Sequence, residues 1–297
     1  MQGGLGDGAA KPLHDLVGAC EAPRKAGSLR GASARRYEGG MNRAEGPAVD
    51  AETVWDVEEA LLERRIRTWA LPSALALASL FAVTGPGRLL LRVFLSMWVH
   101  EVGHASAAWL CGFPAFPGPW FTPVAQSRSG LFAFLVFGAI AGGAALAWRS
   151  GRRGAFRALV ALCTVQIFCT AMLPARGARQ FIYFMGDGGC LVLGALLMLT
   201  LYAPEGSALR RGWLRWGFLA IGAAAFVDAF SQWWASRTDV ERIPFGMNEG
   251  RGLSDPSMLA ETYGWSADQI VHRYVALGCV CLVALAVVYV LGLLRER

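Results

Sequence analysis

Lysine is almost absent from this 297-residue chain, since Lys11 and Lys25 are the only two and both lie near the N-terminus. The net charge of +6 is therefore carried almost entirely by arginine. No basic stretch is interleaved with aromatic residues, so the pattern of a nucleic-acid-binding module is missing. The arginines mostly flank apolar runs, which is typical of residues at membrane headgroups. We therefore do not expect nucleic acid as a partner.

Charge of either sign is also scarce, and paired cysteines are missing. Charged residues make up 17% of the chain and hydrophobic residues 55%. The seven cysteines include no CxxC pair, and most fall in or beside apolar runs, so no disulfide framework is indicated. This composition argues against an ordinary soluble enzyme and predicts a protein whose partner is a lipid bilayer.

Apolar runs long enough to cross a hydrocarbon core of about 30 Å recur from residue 68 onward. The candidate spans are about 68–84, 89–111, 130–148, 155–174, 187–203, 213–230 and 272–294. We predict an all-α membrane protein, a polytopic helical bundle of about six to seven transmembrane helices. The expected location is a membrane that the chain crosses several times, which we take to be a bacterial cell membrane.

The remaining segments are polar or irregular. Residues 1–50 are rich in Gly, Ala, Arg and Ser and are predicted to be a disordered tail. Residues 51–67 have apolar positions at helical spacing and predict a juxtamembrane amphipathic helix that precedes a membrane domain over 68–297. The polar loop 231–271 is expected to be a small exposed excursion, and the prolines of 112–124 exclude a continuous helix there.

The arginine clusters disagree about membrane orientation. Arg64, Arg65 and Arg67 favour a cytoplasmic start, because cytoplasmic loops carry an excess of basic residues. The later clusters favour an N-terminus on the opposite side if there are seven spans. Orientation is therefore left open.

Chemistry is concentrated in the second candidate span, which contains the segment HEVGH. On a helix, residues four apart share a face, so His100 and His104 are able to bind one metal ion. Glu101 lies beside the first of them, where a metallopeptidase carries its general base. An ionisable side chain in the centre of a membrane helix costs about 2.5–3.5 kcal/mol, which makes a chance occurrence of three a poor explanation. A metal-free polar cluster is the competing interpretation.

A catalytic zinc site normally has three protein ligands, so a third is expected elsewhere in the chain. No His, Asp or Glu occurs from Ala105 to Gly186, and the first candidate is Asp187, which glycines flank on both sides. Asp228, near the end of the sixth span, is an alternative ligand, a proton relay or a partner for an arginine. His272 is expected to lie at the membrane interface.

An HExxH segment in one span and a glycine-flanked aspartate at a later span resemble the site-2 protease family of intramembrane zinc metalloproteases. The resemblance covers roughly residues 89–203 and implies a three-span core within the membrane metalloprotease domain. It implies that His100, His104 and Asp187 bind Zn²⁺ and that Glu101 activates a zinc-bound water. Gly186 stands where the family has a leucine.

The resemblance implies an intramembrane zinc metalloendopeptidase that hydrolyses peptide bonds of transmembrane or membrane-tethered protein substrates. A metalloprotease of the prenyl-protein processing type also uses HExxH but takes a glutamate as its third ligand, which the sequence disfavours. The alternative from another class is a metal-binding membrane transporter or a non-catalytic membrane scaffold. Transporters place ionisable groups across successive spans, and the third and fourth spans have no acid or histidine in their apolar cores.

Overall fold

The computed structural model describes residues 51–204, 207–210, 212–248 and 252–294, with side chains described except at 51–56 and 248. The tail predicted to be disordered over 1–50 lies outside these residues. The described helices are α1 (Ala51–Ala82), α2 (Gly85–Leu90), α3 (Met97–Leu110), α4 (Gly130–Arg149), α5 (Arg153–Ala171), α6 (Ala175–Leu199), α7 (Leu214–Ala235), α8 (Asp255–Ser257) and α9 (Ala267–Leu294). The main elements are therefore helices, as predicted.

Within the described ranges, five helices are long and apolar enough to cross a membrane, and a bent pair raises this number to six. The five are Gly130–Arg149, Arg153–Ala171, Ala175–Tyr202, Leu214–Ala235 and Ala267–Leu294. The predicted number of about six to seven is therefore matched only at its lower end. The reason is that the first two predicted spans belong to the bent pair.

The bent pair consists of residues 57–82 and 85–110, which meet at an angle of 115°. A new helix starts here because the Thr84 side chain accepts a hydrogen bond from the Gly87 N–H, and a proline follows in the first turn. A π-helix, Leu91–Ser96, then links α2 to α3. The predicted amphipathic helix over 51–67 is continuous with the apolar residues that follow, because α1 runs unbroken to Ala82.

Helices α3 and α6 cross in close contact, and this crossing positions the site. A Cβ built on Gly103 would lie 2.1 Å from the carbonyl oxygen of Met185, and one built on Gly189 would lie 2.4 Å from the Gly103 Cα. Only glycine at both positions permits this approach. The HEVGH segment is thereby placed directly against the segment that carries Asp187. The main hydrophobic core lies beside it and includes buried residues of α6, α7 and α9.

Two segments outside the long helices fold over this crossing. The proline-rich segment 112–125 forms an irregular hairpin with one antiparallel bridge, between Ala115 and Val124. The second segment, 236–266, contains a two-stranded antiparallel hairpin of β1 (Met247–Asn248) and β2 (Gly252–Leu253), followed by α8 and a π-helix. We call the described residues of this segment, 236–248 and 252–266, the cap. Ser257 and Leu259 in the cap are fully buried, so the expectation of a purely exposed excursion is wrong for this part.

Candidate metal centre

The two histidines of HEVGH lie on one face of α3 and point at the same position. Their Nε2 atoms are 3.2 Å apart, and the two rings meet edge to face. His104 donates its other ring N–H, from Nδ1, to the carbonyl oxygen of Ile182 at 2.7 Å. Because Nδ1 is bonded to that carbonyl, Nε2 is the ring nitrogen of His104 that faces His100 and that would bind a metal ion.

Asp255 is the third group at this position. Its Oδ2 atom lies 3.0 Å from Nε2 of His100 and 3.0 Å from Nε2 of His104. These three residues satisfy the geometric requirement for a shared metal ion. Burial alone would raise the pKa of the Asp255 carboxyl, but the imidazoles of His104 and His100 lower that pKa well below its ordinary value. The carboxylate is thus held ionised, as a metal ligand must be.

Asp187 lies beside His100 on the other edge of the ring. Its Oδ1 atom is 3.0 Å from Nδ1 of His100, and its Oδ2 atom accepts a hydrogen bond of 2.9 Å from Nε1 of Trp233. The structure therefore brings Asp187 to the HEVGH segment, as the sequence predicted, but to the nitrogen that faces away from His104 and Asp255. Cys190 is near the same edge, and His100, Asp187 and Cys190 form a second geometrically compatible ligand group.

An aromatic stack holds the Trp233 indole that binds Asp187. The Trp233 ring stacks on Tyr274 with centroids 4.2 Å apart, and Tyr274 stacks on Phe184 at 4.5 Å. The Tyr274 hydroxyl donates to the carbonyl oxygen of Phe184 at 3.0 Å. Because the three rings come from α7, α9 and α6, three helices fix the position of the indole.

Gly186 explains how α6 comes so near to the imidazoles. A Cβ at this position would lie 2.6 Å from Cε1 of His100 and 2.7 Å from Cε1 of His104. Any larger residue would push both rings away. The glycine at position 186, where the resembled family has leucine, therefore has a steric basis in this chain.

Glu101 completes the group of predicted residues. It is buried, and its Oε2 atom accepts a hydrogen bond of 2.7 Å from the Thr122 hydroxyl. Glu101, both histidines, Asp187 and Asp255 all line one cavity of about 570 Å³. The walls of this cavity also include residues of the proline-rich segment and the cap.

The other acid and histidine considered from the sequence lie elsewhere. Asp228 is buried, and its Oδ2 atom is 3.5 Å from a guanidinium nitrogen of Arg92, so it serves as a partner for an arginine. It does not line the cavity of the histidines. His272 is exposed and lines a different pocket, together with Asp268 and Arg237.

Sequence reasoning missed Asp255. It stands more than 150 residues from the histidines, in a polar loop without helical or strand periodicity, so no spacing rule connects them. The local signal was a helix start, with Ser254 as the N-cap and Pro256 in the first turn. That signal predicts a turn at this point of the sequence. It does not predict that the turn packs against the two histidines.

Comparison of the chain with protein-family models, with curated proteins and with solved structures gives no match. The resemblance to the site-2 proteases stays a prediction from the motif residues.

Proposed function

We propose that this chain is a zinc-dependent endopeptidase that lies within a membrane and cleaves membrane-embedded or membrane-tethered protein substrates. The observation that carries the proposal is the meeting of three potential ligand atoms, from His100, His104 and Asp255, with a buried glutamate beside them in one cavity. A catalytic zinc site typically combines three such ligands with a carboxylate that serves as general base, so this combination supports the proposal. The long apolar helices support the membrane location.

The donor set fits zinc in type and spacing. Zinc favours imidazole and carboxylate ligands, and tetrahedral bonds of about 2.0–2.2 Å place ligand atoms about 3.3–3.6 Å apart. The three separations here are 3.0, 3.0 and 3.2 Å, within a few tenths of an ångström of that spacing. Three protein ligands leave a fourth position for the reaction. The ligand set that we propose is therefore His100, His104 and Asp255.

Asp187 has the position of a residue that orients a ligand. Metal-binding histidines commonly donate the second ring N–H to a carboxylate or a backbone carbonyl. Here His100 has Asp187 and His104 has the Ile182 carbonyl in that role. In our proposal Asp187 fixes the tautomer and rotation of His100. The aspartate that was predicted to bind the metal ion would therefore bind one of its ligands instead.

In our proposal Glu101 moves the proton in hydrolysis. A bound zinc ion would supply a Lewis acid that polarises the peptide carbonyl and makes water a stronger nucleophile at neutral pH. The Glu101 carboxylate accepts the proton of the attacking water and returns it to the amine that leaves. The substrate must present an extended segment, because peptide bonds within a helix are shielded. A transmembrane helix that has unwound locally would meet this requirement.

The proposal is tested by zinc content and cleavage in wild-type protein and in Glu101→Gln. The probes are fluorescein-labelled casein and a set of synthetic transmembrane-segment peptides in detergent or liposomes. We expect Glu101→Gln to retain one zinc per chain and to lose about 10²–10⁴-fold in kcat, the usual contribution of a general base. Glu241→Gln is the matched control, because Glu241 is an exposed acid of the cap. Cleavage that survives Glu101→Gln would contradict the proposal, and zinc transport that survives it would favour the transporter alternative.

A further inference from the structure

One oxygen of the Glu101 carboxylate is held by a buried hydroxyl from outside the helix. Thr122 is 6% exposed, and its Oγ1 donates to Oε2 of Glu101 at 2.7 Å. The same hydroxyl lies 2.9 Å from the backbone carbonyl oxygen of Glu101, so its proton is shared between two acceptors of one residue. Hydrogen bonds to a charged group are roughly twice as strong as neutral ones, and burial strengthens them further.

The second carboxylate oxygen of Glu101, Oε1, is not bound by Thr122. Among the described residues, the hydrogen bond to the Glu101 carboxylate is made to Oε2, and none is made to Oε1. Glu101 itself lines the cavity that the metal ligands share. Because Oε2 accepts the hydrogen bond of Thr122, Oε1 is the oxygen of Glu101 that is left to accept a proton.

The backbone of Thr122 is fixed independently of Glu101. Pro123 follows it, which restricts Thr122 to extended conformations. The proline-rich segment is closed by a hydrogen bond of 2.8 Å from the Ala125 N–H to the Pro114 carbonyl. It is also tied to α3, because Nε1 of Trp109 donates to the carbonyl of Ala115 at 2.9 Å. The segment thus carries the hydroxyl to a defined point against the HEVGH helix.

We infer that Thr122 is a positioning residue for the general base, which holds one carboxylate oxygen of Glu101 so that the other faces the reacting atoms. The catalytic role inferred for Thr122 rests on the proposed function. The hydrogen bond between Thr122 and Glu101 is independent of that function. The terminal torsion of a glutamate side chain has a broad energy profile, so without a partner the carboxylate plane would turn freely. The proline-rich segment then contributes to the site through Thr122.

The test compares Thr122→Val, which removes the hydroxyl at nearly constant volume, with Thr122→Ser, which keeps it. We expect Thr122→Val to lower kcat about 10- to 100-fold, the scale of a misplacement of about 1 Å, while KM and zinc content stay unchanged. Thr122→Ser should retain most of the wild-type kcat. Thr170→Val is the matched control, because its hydroxyl donates to the Leu110 carbonyl at 2.9 Å and does not contact Glu101. Equal losses in Thr122→Val and Thr122→Ser, or a normal kcat in Thr122→Val, would overturn the inference.

A second measurement separates this inference from the proposed function. In a double-mutant cycle of Thr122→Val and Glu101→Leu, we expect the Tm shift of the double variant to be smaller than the sum of the single shifts, because both variants remove the same contact. Additive shifts would overturn the inference whether or not the protein cleaves peptides. Non-additive shifts in a protein that cleaves nothing would retain the positioning contact and reject only the peptidase.

Discussion

At the scale of single residues, the two aspartates beside His100 differ in the ring nitrogen that each one faces. Asp255 is 3.0 Å from Nε2, where His104 also points, whereas Asp187 is 3.0 Å from Nδ1. Loss of a metal ligand removes a bond, while loss of an orienting partner typically costs 10- to 100-fold in metal affinity. We therefore expect substitutions of the two aspartates to lower zinc affinity by different factors.

We expect Asp187→Asn to weaken zinc binding about 10- to 100-fold and Asp255→Asn to weaken it by a larger factor. The measurement is competition for zinc with a chromophoric chelator in detergent. Asp239→Asn is the control, since Asp239 is an acid of the same cap that pairs with Arg242 at 3.0 Å. A zinc affinity that falls in Asp187→Asn and does not change in Asp255→Asn would contradict the proposed roles. Asp187 would then be the ligand, and Asp255 would block access to the site.

Gly186 supports a second prediction at this scale. Gly186→Ala should weaken zinc binding, because the new Cβ would lie 2.6–2.7 Å from ring atoms of both histidines and displace them. Gly188→Ala is a fitting control, since the atoms nearest to its Cβ would be side-chain atoms of Met185 and Phe184, at 3.3 Å or more. Both variants add the same methyl group to the same helix, so their helix propensities are equal. The chelator assay should separate them by at least about 10-fold if the rings are displaced from the ligand position.

At the scale of elements, the site is assembled from two long helices, α3 and α6, and from two segments that fold over them, the proline-rich segment and the cap. The crossing of α3 and α6 at Gly103 and Gly189 sets the two histidines against Asp187. Asp255 comes instead from the cap, which is attached to the bundle through α7 and α9. Binding of a metal ion would join the cap to α3 by a direct bond, so zinc should order the cap.

Hydrogen exchange measures this coupling. We expect amides of residues 252–262 to exchange more slowly with zinc than after removal of zinc by a chelator, because the ion fixes Asp255 to the two histidines. The turn between α4 and α5, residues 149–153, should be unaffected. In Asp255→Asn the zinc-dependent protection should disappear. Equal exchange of the cap with and without zinc would show that Asp255 does not bind the ion.

At the scale of the whole molecule, the features that could be predicted from the sequence are those that depend on local residue patterns. The five apolar helices α4, α5, α6, α7 and α9 correspond to predicted spans, because their apolar runs are long and contain few charged residues. The pairing of His100 with His104 follows from the period of the helix alone. The approach of Asp187 followed from the motif, although its contact with Nδ1 did not.

The rest depended on tertiary contacts that leave no local pattern. The first two predicted spans form one pair of helices that is bent by 115°. The local signal for this bend, Thr84 with Pro86, is equally typical of a short loop between two separate spans. The partners of Glu101 and of the histidines, Thr122 and Asp255, lie in irregular segments without periodicity. Their positions are fixed by hydrogen bonds and burial that form only in the folded chain.

The most direct test of the account is a structure of the zinc-loaded protein with the metal located by its anomalous scattering. We predict one zinc ion per chain, bonded to Nε2 of His100, Nε2 of His104 and a carboxylate oxygen of Asp255 at about 2.0–2.2 Å. A zinc ion bound elsewhere, or protein that holds no stoichiometric zinc, would contradict it.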